Sequence, residues 1–221
     1  TIMYRPSVNF SKGNSNSGSF SETLNNELIP INQKEATNRQ TNDRFSTNGS
    51  LQFNRKLNSK GRNIALRLYY NLDNGNSDRY SLANTYYLKY GDSIKVQNQW
   101  IDNLNRNHEY RVQLTYMEPV FTNHFIEINY SYQHRSSLSE KYAYDWNDLE
   151  DSYSQYPDTA QSDCYKNKYS IHQVGAFFRT IRTNYFYNIG IEIEPQQTTN
   201  QSYMRDTTLE YSCLLYTSPS P

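Results

Sequence analysis

The chain is built on alternation. From residue 2 to residue 10, Ile2, Tyr4, Val8 and Phe10 share one parity. Between residues 44 and 57, Phe45, Leu51, Phe53 and Leu57 alternate with Arg44, Ser46, Asn48, Ser50, Gln52 and Asn54. Ile64, Leu66, Leu68, Tyr70 and Leu72 stand against Arg67, and Tyr110, Val112, Leu114 and Tyr116 against Arg111, Gln113 and Thr115. Ile126, Ile128, Tyr130 and Tyr132 oppose Glu127, Asn129, Ser131 and Gln133; Tyr185, Tyr187, Ile189, Ile191 and Ile193 oppose Asn188, Glu192 and Glu194. A period of two sends successive side chains to opposite faces, so each stretch predicts a strand with one apolar and one polar face. Residues 167–181 are strand-like too, but the adjacent Phe177 and Phe178 leave their parity open. No stretch repeats with the period of an amphipathic helix.

Length refines the prediction. The alternating segments run for 9 to 14 residues. An average strand has about 5 or 6 residues, whereas a tilted strand crossing a bilayer needs about 9–11. Short connections (Asn58–Gly61, Glu118–Asn123, Arg182–Asn184) alternate with long polar ones at 11–43, 73–105 and 135–166. Outer-membrane barrels have this asymmetry, with short periplasmic turns and long external loops. Residues 79–90 and 94–100 also alternate, which gives two counts. They are either a hairpin standing above the membrane, leaving seven spanning strands, or two further spans, making nine. The expected fold is all-β, an antiparallel transmembrane barrel segment over residues 1–212. Seven strands do not close a barrel, and an open edge is not tolerated in lipid. The segment is therefore expected to belong to a larger barrel and to be incomplete at both ends, with Thr1 lying inside a longer gene.

Composition then becomes intelligible. Mean hydropathy is −0.96 with 35% apolar residues, values that suit a disordered chain. Yet 22 tyrosines and an aromatic share of 15% contradict disorder, because disordered chains are poor in aromatics. A barrel with a wet interior needs apolar residues on only one face. Tyrosine suits its rims, where the ring meets lipid and the hydroxyl reaches the headgroups. Tyr110, Tyr116, Tyr130, Tyr132, Tyr185 and Tyr187 are the expected girdle. A net charge of zero gives no electrostatic reason for a nucleic-acid partner. The chain has two cysteines, Cys164 and Cys213; Cys164 falls in an expected loop, and no disulfide framework or metal cluster follows from them.

Candidate chemistry is sparse. No nucleophile–base arrangement is visible, so no enzyme activity, cofactor or metal is expected. His108, His124, His134 and His172 have no ligand spacing and read as ordinary strand residues. Arg67, Arg111, Glu127, Glu192 and Glu194 share the polar face and are candidates for lining a lumen or touching a plug. Asp145, Trp146, Asp148, Glu150 and Asp151 form an acidic, aromatic loop, a candidate for touching a sugar or peptide ligand from outside. Oxygen ligands there suit calcium, but the Asp-x-Asp-x-Asp-Gly spacing is missing. Asp73-Asn-Gly-Asn-Ser-Asp78 is a turn signal.

Two stretches resemble a known family. Leu51-Gln-Phe-Asn-Arg-Lys-Leu-Asn-Ser-Lys-Gly-Arg62 and Tyr116-Met-Glu-Pro-Val-Phe-Thr-Asn-His-Phe-Ile-Glu-Ile-Asn-Tyr-Ser-Tyr132 are similar to the outer-membrane β-barrel family related to TonB-dependent receptors. In that family a basic segment ending Lys-Gly-Arg and a Glu-Pro…Asn-His-Phe segment mark periplasmic turns. The resemblance spans most of residues 1–205. It implies a 22-strand barrel in the outer membrane of a Gram-negative cell, filled by a plug domain of the same full-length chain. It also implies an inner-membrane energy-transducing complex acting through that plug, and carries over no substrate residue.

The end of the chain differs from the rest. Residues 213–221, Cys-Leu-Leu-Tyr-Thr-Ser-Pro-Ser-Pro, resemble a transposase-type sequencing adapter translated in frame, and are expected to be a non-native tail. The expected function is the barrel portion of a TonB-dependent-type receptor for a ligand too large for porins. The alternatives are a non-transporting outer-membrane barrel, serving as adhesin or assembly platform, and a soluble glycan-binding β-sandwich.

Overall fold

The computed structural model describes residues 1–88 and 93–217. All of its regular structure is strand: β1 (Ile2–Leu24), β2 (Pro30–Lys56), β3 (Asn63–Tyr87), β4 (Ser93–Phe121), β5 (His124–Asn147), the short β6 (Ser152–Tyr153), β7 (Asp163–Ile181), β8 (Phe186–Ser202) and β9 (Thr207–Thr217). Each strand pairs antiparallel with the next in order β1-β2-β3-β4-β5-β7-β8-β9, and β6 hangs on β5. The result is one open up-and-down sheet. Among the described residues no second sheet packs on it, so the sandwich alternative finds no support in the architecture. Among the described residues the outer edges of β1 and β9 have no strand beside them.

Strand length is where the sequence expectation needs correcting. Among the described residues, the polar excursions at 11–43, 73–105 and 135–166 are strand for most of their length, apart from the turn at 25–29 and the 148–162 segment. They continue the strands, so β2 reaches 27 residues and β4 reaches 29. At about 3.3 Å per residue, β4 is ~95 Å long, far more than a bilayer crossing needs. Residues 79–87 and 93–100 are the ends of the β3–β4 hairpin, paired from Tyr87↔Ser93 onward. These residues are therefore continuations of β3 and β4 and not two further strands; Lys89, Tyr90, Gly91 and Asp92 lie outside the described residues. The 73–78 turn signal is likewise overridden, since Asp73 to Asp78 pair with Arg44, Asn107 and their neighbours in mid-strand. Backbone ladder bonds do not require apolar side chains, so a strand wet on both faces carries no hydropathy alternation to reveal it. Cys164 sits in β7 rather than a loop, and both cysteines are free. β9 includes residues 213–217 of the expected tail; residues 218–221 lie outside the described ones.

The register brings the alternating segments into line. One row across the sheet reads Ile2, Phe53, Leu66, Leu114, Tyr130, Val174 and Ile193. The row beside it, on the other face, reads Met3, Gln52, Arg67, Gln113, Ser131 and Gln173. Neighbouring rows repeat the contrast, with Ile64, Tyr116, Ile128, Ala176 and Ile191 on the first face. This apolar band is open to the surroundings: Ile128 is 49% exposed, Ile189 64% and Ile191 65%. Phe178 belongs to it and Phe177 to the polar face, which resolves the parity the sequence left open.

The ends of the sheet differ. At one end the turns are tight. Leu57 closes onto Arg62 (N–H to O, 2.8 Å), and the Asn58 side chain accepts from the amides of Lys60 and Arg62. Gly61 holds φ +106°, which suits glycine. The β4–β5 turn needs only Thr122 and Asn123, with Asn123 at φ 66°.

Here the two resemblance stretches meet. Arg62 donates Nε to Glu118 Oε2 at 2.7 Å and Nη2 to Oε1 at 2.5 Å, and the Tyr116 hydroxyl also donates to Glu118. Glu118 stands one step past Tyr116, where the band ends on β4. The Arg62 bonds, and then the Tyr116 hydroxyl, hold the Glu118 carboxyl below its usual range. A depressed carboxylate contributes stability above its ordinary pKa of about 4.3 and loses it as pH falls through the lower folded value. Amide protection, exchange taken relative to the intrinsic rate at each pH, is therefore expected to fall at residues 58–62 and 120–124 as pH drops below about 4. Glu118→Gln is expected to flatten that dependence; an unchanged profile in the variant would assign the effect elsewhere.

At the opposite end the sheet acquires a small core. Ala83, Ile101 and Ala143 are buried at 7%, 4% and 1% exposure on the polar face, where the 148–162 segment folds back. Its Asp158 amide reaches the Ala143 carbonyl at 2.7 Å, and the Ser162 hydroxyl accepts from the Ala143 amide at 3.0 Å. These bonds cover the stretch of β5 edge that β7 leaves unpaired.

Candidate functional site

The polar face is the first candidate site. Alternation and register place Arg67, Arg111, Glu127, Glu192 and Glu194 all on it. The two arginines lie on neighbouring strands, where Arg67 faces Gln113 and Tyr69 faces Arg111. They share a shallow concavity of about 330 Å³ with Gln52, Tyr69, Glu109 and Gln113. Arg111 donates to Gln133 Oε1 at 2.7 Å and has Glu109 at 3.7 Å. The three glutamates lie elsewhere, on β5 and β8. Glu127 is 8% exposed and bonds Arg179 at 2.8 Å. Glu192 accepts from Gln173 Nε2 at 2.7 Å. Glu194 stands opposite Leu215 in the β8–β9 register. The five residues thus divide into a basic concavity and a separate acidic stretch on one face.

Hydrogen bonds between strands run through this face. Gln133 donates to Glu109, Ser131 to Gln173, Ser137 to Asn107 and Tyr169 to Gln196, all at 2.6–3.0 Å. Arg44 grips Asp73 with two bonds of 2.7 Å, which keeps that carboxyl below its usual range. Such a surface is largely cross-bonded, yet Arg79 Nε, Asn129 Oδ1, Arg179 Nε and Asn188 Oδ1 on it are buried without a partner, and its guanidinium groups offer paired donors to an anion. Arg179 is a functional-face residue that sequence reasoning did not single out. The open parity around Phe177 and Phe178 hid which face it joins.

The acidic loop does not act as one cluster. Asp145 accepts from Gln99 Nε2 at 2.7 Å on the polar face. Trp146 lies on the other face, edge-on to Tyr153 at 5.1 Å. Asp148, Glu150 and Asp151 sit in the exposed turn beyond them, Asp151 at φ 49°. Among the described residues no three His, Cys, Asp or Glu side chains come together as a cation cage. Two nearby acids are tuned by their surroundings. Burial, with Asp78 and Glu140 close by, pushes the Asp102 carboxyl up. The Gln161 side chain and the Ala160 amide hold Asp158 down.

What anchors this region is an aromatic clasp. Trp100 stacks on Tyr144 with centroids 4.7 Å apart, and Tyr153 reaches Tyr80, Trp100 and Trp146 at 5.8, 6.4 and 5.1 Å. Only Trp146 of these five was a sequence candidate; the others lie 20 or more residues apart along the chain from at least one partner, and pairing alone unites them. Burying an aromatic ring contributes about 1.5–3 kcal/mol. Tyr153→Ala is expected to free the 148–162 segment and raise its cleavage rate by a probing protease at least about tenfold. Unchanged cleavage would mean that the backbone bonds to Ala143 suffice. No family model matches this chain, and no curated protein matches it.

Proposed function

We propose that the sheet is part of the barrel of an outer-membrane receptor of TonB-dependent type, moving a ligand too large for porins. One observation carries the reading: an apolar band continuous across seven strands, backed by a polar face cross-linked by hydrogen bonds. In water a band of this extent is a liability, because exposed apolar patches beyond a few hundred Å² mark binding surfaces. In lipid it is required, and the polar face then turns to a wet interior. Tyr70, Tyr110 and Tyr132 toward the top of the band and Tyr116 and Tyr187 at its foot suit the two headgroup levels. The open edges of β1 and β9 call for further strands, since lipid tolerates no unpaired ladder. The tight turns then face the periplasm and the long strand extensions stand outside.

On this reading the Arg67–Arg111 concavity faces the plug of the full-length chain, through which an inner-membrane complex supplies energy. The test uses the full-length protein. It is expected in the outer-membrane fraction, resistant to carbonate extraction, and closed in planar bilayers. Reversing both charges (Arg67→Glu with Arg111→Glu) is expected to loosen the plug and raise conductance. Recovery as a soluble protein would remove the barrel reading. Conductance that is high from the start and indifferent to the reversal would favour a barrel that is not a plugged transporter.

A further inference from the structure

The outward face carries a second feature well above the apolar band. Asn16, Arg39, Tyr80, Trp100 and Tyr144 form one row across five strands, on the same face as the band. The next row outward holds Gly18, Thr37, Leu82 and Asn98. The short β6 brings Tyr153 to this side through its pairing with Trp146. The Tyr153 hydroxyl donates to Asn98 Oδ1 at 3.1 Å, and its ring meets that of Tyr80 at 51°. Asn16, Arg39, Tyr80, Leu82, Asn98 and Tyr153 border an open groove of about 600 Å³, with the Trp100–Tyr144 stack beside it. Tyr80 remains 45% exposed in it.

The lining selects a chemistry. Tyr80 and Tyr153 contribute aromatic rings to the lining, Asn16 and Asn98 amides, and Arg39 the charge. Asp78, one row nearer the band, is engaged by the Trp100 indole N–H at 3.1 Å. A sugar ring is apolar on its C–H face and hydroxylated around its edge, so aromatic faces with flanking amide and guanidinium donors match it. A peptide adding as a strand needs an unpaired sheet edge; β2, β3 and β4 are paired on both sides here, and on the outer-membrane reading the β1 edge is taken by the next strand of the barrel. An acyl chain would leave the amides of Asn16 and Asn98 and the Arg39 guanidinium without partners, whereas a saccharide engages them together with the apolar part of the lining.

Position selects the source. From His108, at the top of the band, to Trp100 the strand rises eight residues, about 26 Å along its length or about 20 Å of height at a 40° tilt. The headgroup layer extends only about 5–8 Å beyond the hydrocarbon on each side. The groove therefore opens sideways, beyond the headgroups, toward whatever stands in the same leaflet. We propose that it binds the sugar chain of a neighbouring outer-leaflet glycolipid, fixing the receptor's long extension upright among its own membrane's saccharides. This rests on the outer-membrane reading above.

The test places the full-length chain in phosphatidylcholine nanodiscs. The probe is the core oligosaccharide released by mild acid from the producing strain's own glycolipid, titrated calorimetrically. The intact chain is expected to bind it, and Tyr80→Ala and Arg39→Gln each to weaken binding at least about tenfold. No binding, equal binding by both variants, or binding of a neutral β-glucan oligosaccharide in preference to the core would overturn the proposal. A chain that does not enter the nanodisc removes the membrane reading and this inference with it. Entry without saccharide binding removes the inference alone.

Discussion

Leu114→Arg is expected to destabilise the reconstituted protein by about 2–4 kcal/mol, the cost of an arginine near the midplane of a barrel's lipid face. Thr115→Arg, one residue away on the polar face and opposite Ala65 and Asn129, is expected to change stability by less than about 0.5 kcal/mol, as surface substitutions do. Both residues lie in β4 at the height of the central rows, and both are accessible on the isolated sheet, Leu114 at 38%. In water, replacing a residue so exposed by arginine costs little. The predicted difference therefore comes from the medium against Leu114, not from packing within the sheet. Reversible unfolding in vesicles, followed by heat-sensitive mobility, gives both numbers. Equal, small effects would mean that water bathes both faces.

Gly190→Ala is the second large effect, and here packing decides. A Cβ at Gly190 would lie 2.3 Å from the carbonyl oxygen of Ala176 and 2.8 Å from the Cα of Phe177. Those are backbone atoms of the paired strand β7, which move only if the ladder moves. Overpacking of this kind costs about 3 kcal/mol. The gain from a less flexible unfolded chain returns only about 0.4–1 kcal/mol, so a net loss of about 2 kcal/mol remains. Gly75→Ala is the control, because nothing lies within 4 Å of a Cβ there; it is expected to be neutral or slightly stabilising. If Gly190→Ala matched Gly75→Ala in the same unfolding assay, the close approach of β7 and β8 would be wrong.

The same pair of strands shows what the sequence reveals and what it hides. Ile189, Ile191 and Ile193 announce their face because polar residues separate them. Phe177 and Phe178 do not, since each face takes one ring. The inward ring of Phe177 is accommodated by Gly175 and Gly190, whose missing side chains leave room for it. That relation joins residues on two strands and has no signature along the chain. The band was legible for a simple reason: an environment that is apolar on one side only writes a period of two. Above the band, Asn74 to Asp78 and Asn103 to Asn107 are mostly polar at both parities, so the period disappears while the ladder continues. The polar-face candidates could be assigned a face from parity alone. Their grouping into the Arg67–Arg111 concavity and the Glu127–Arg179 pair required the register. Arg62 and Glu118 were visible as motif residues, yet their bond spans 56 positions and emerges only when two turns lie side by side.

The most direct test of the central claim is the accessibility of spin labels attached along β4 of the full-length protein reconstituted in vesicles. Single cysteines at Val112 and Leu114 sample the apolar face, and single cysteines at Arg111 and Gln113 the polar face. Labels at 112 and 114 are predicted to relax with oxygen dissolved in the acyl chains and to ignore an aqueous nickel chelate. Labels at 111 and 113 are predicted to do the reverse. Four labels responding equally to the chelate would contradict the account, because the apolar band would then face water.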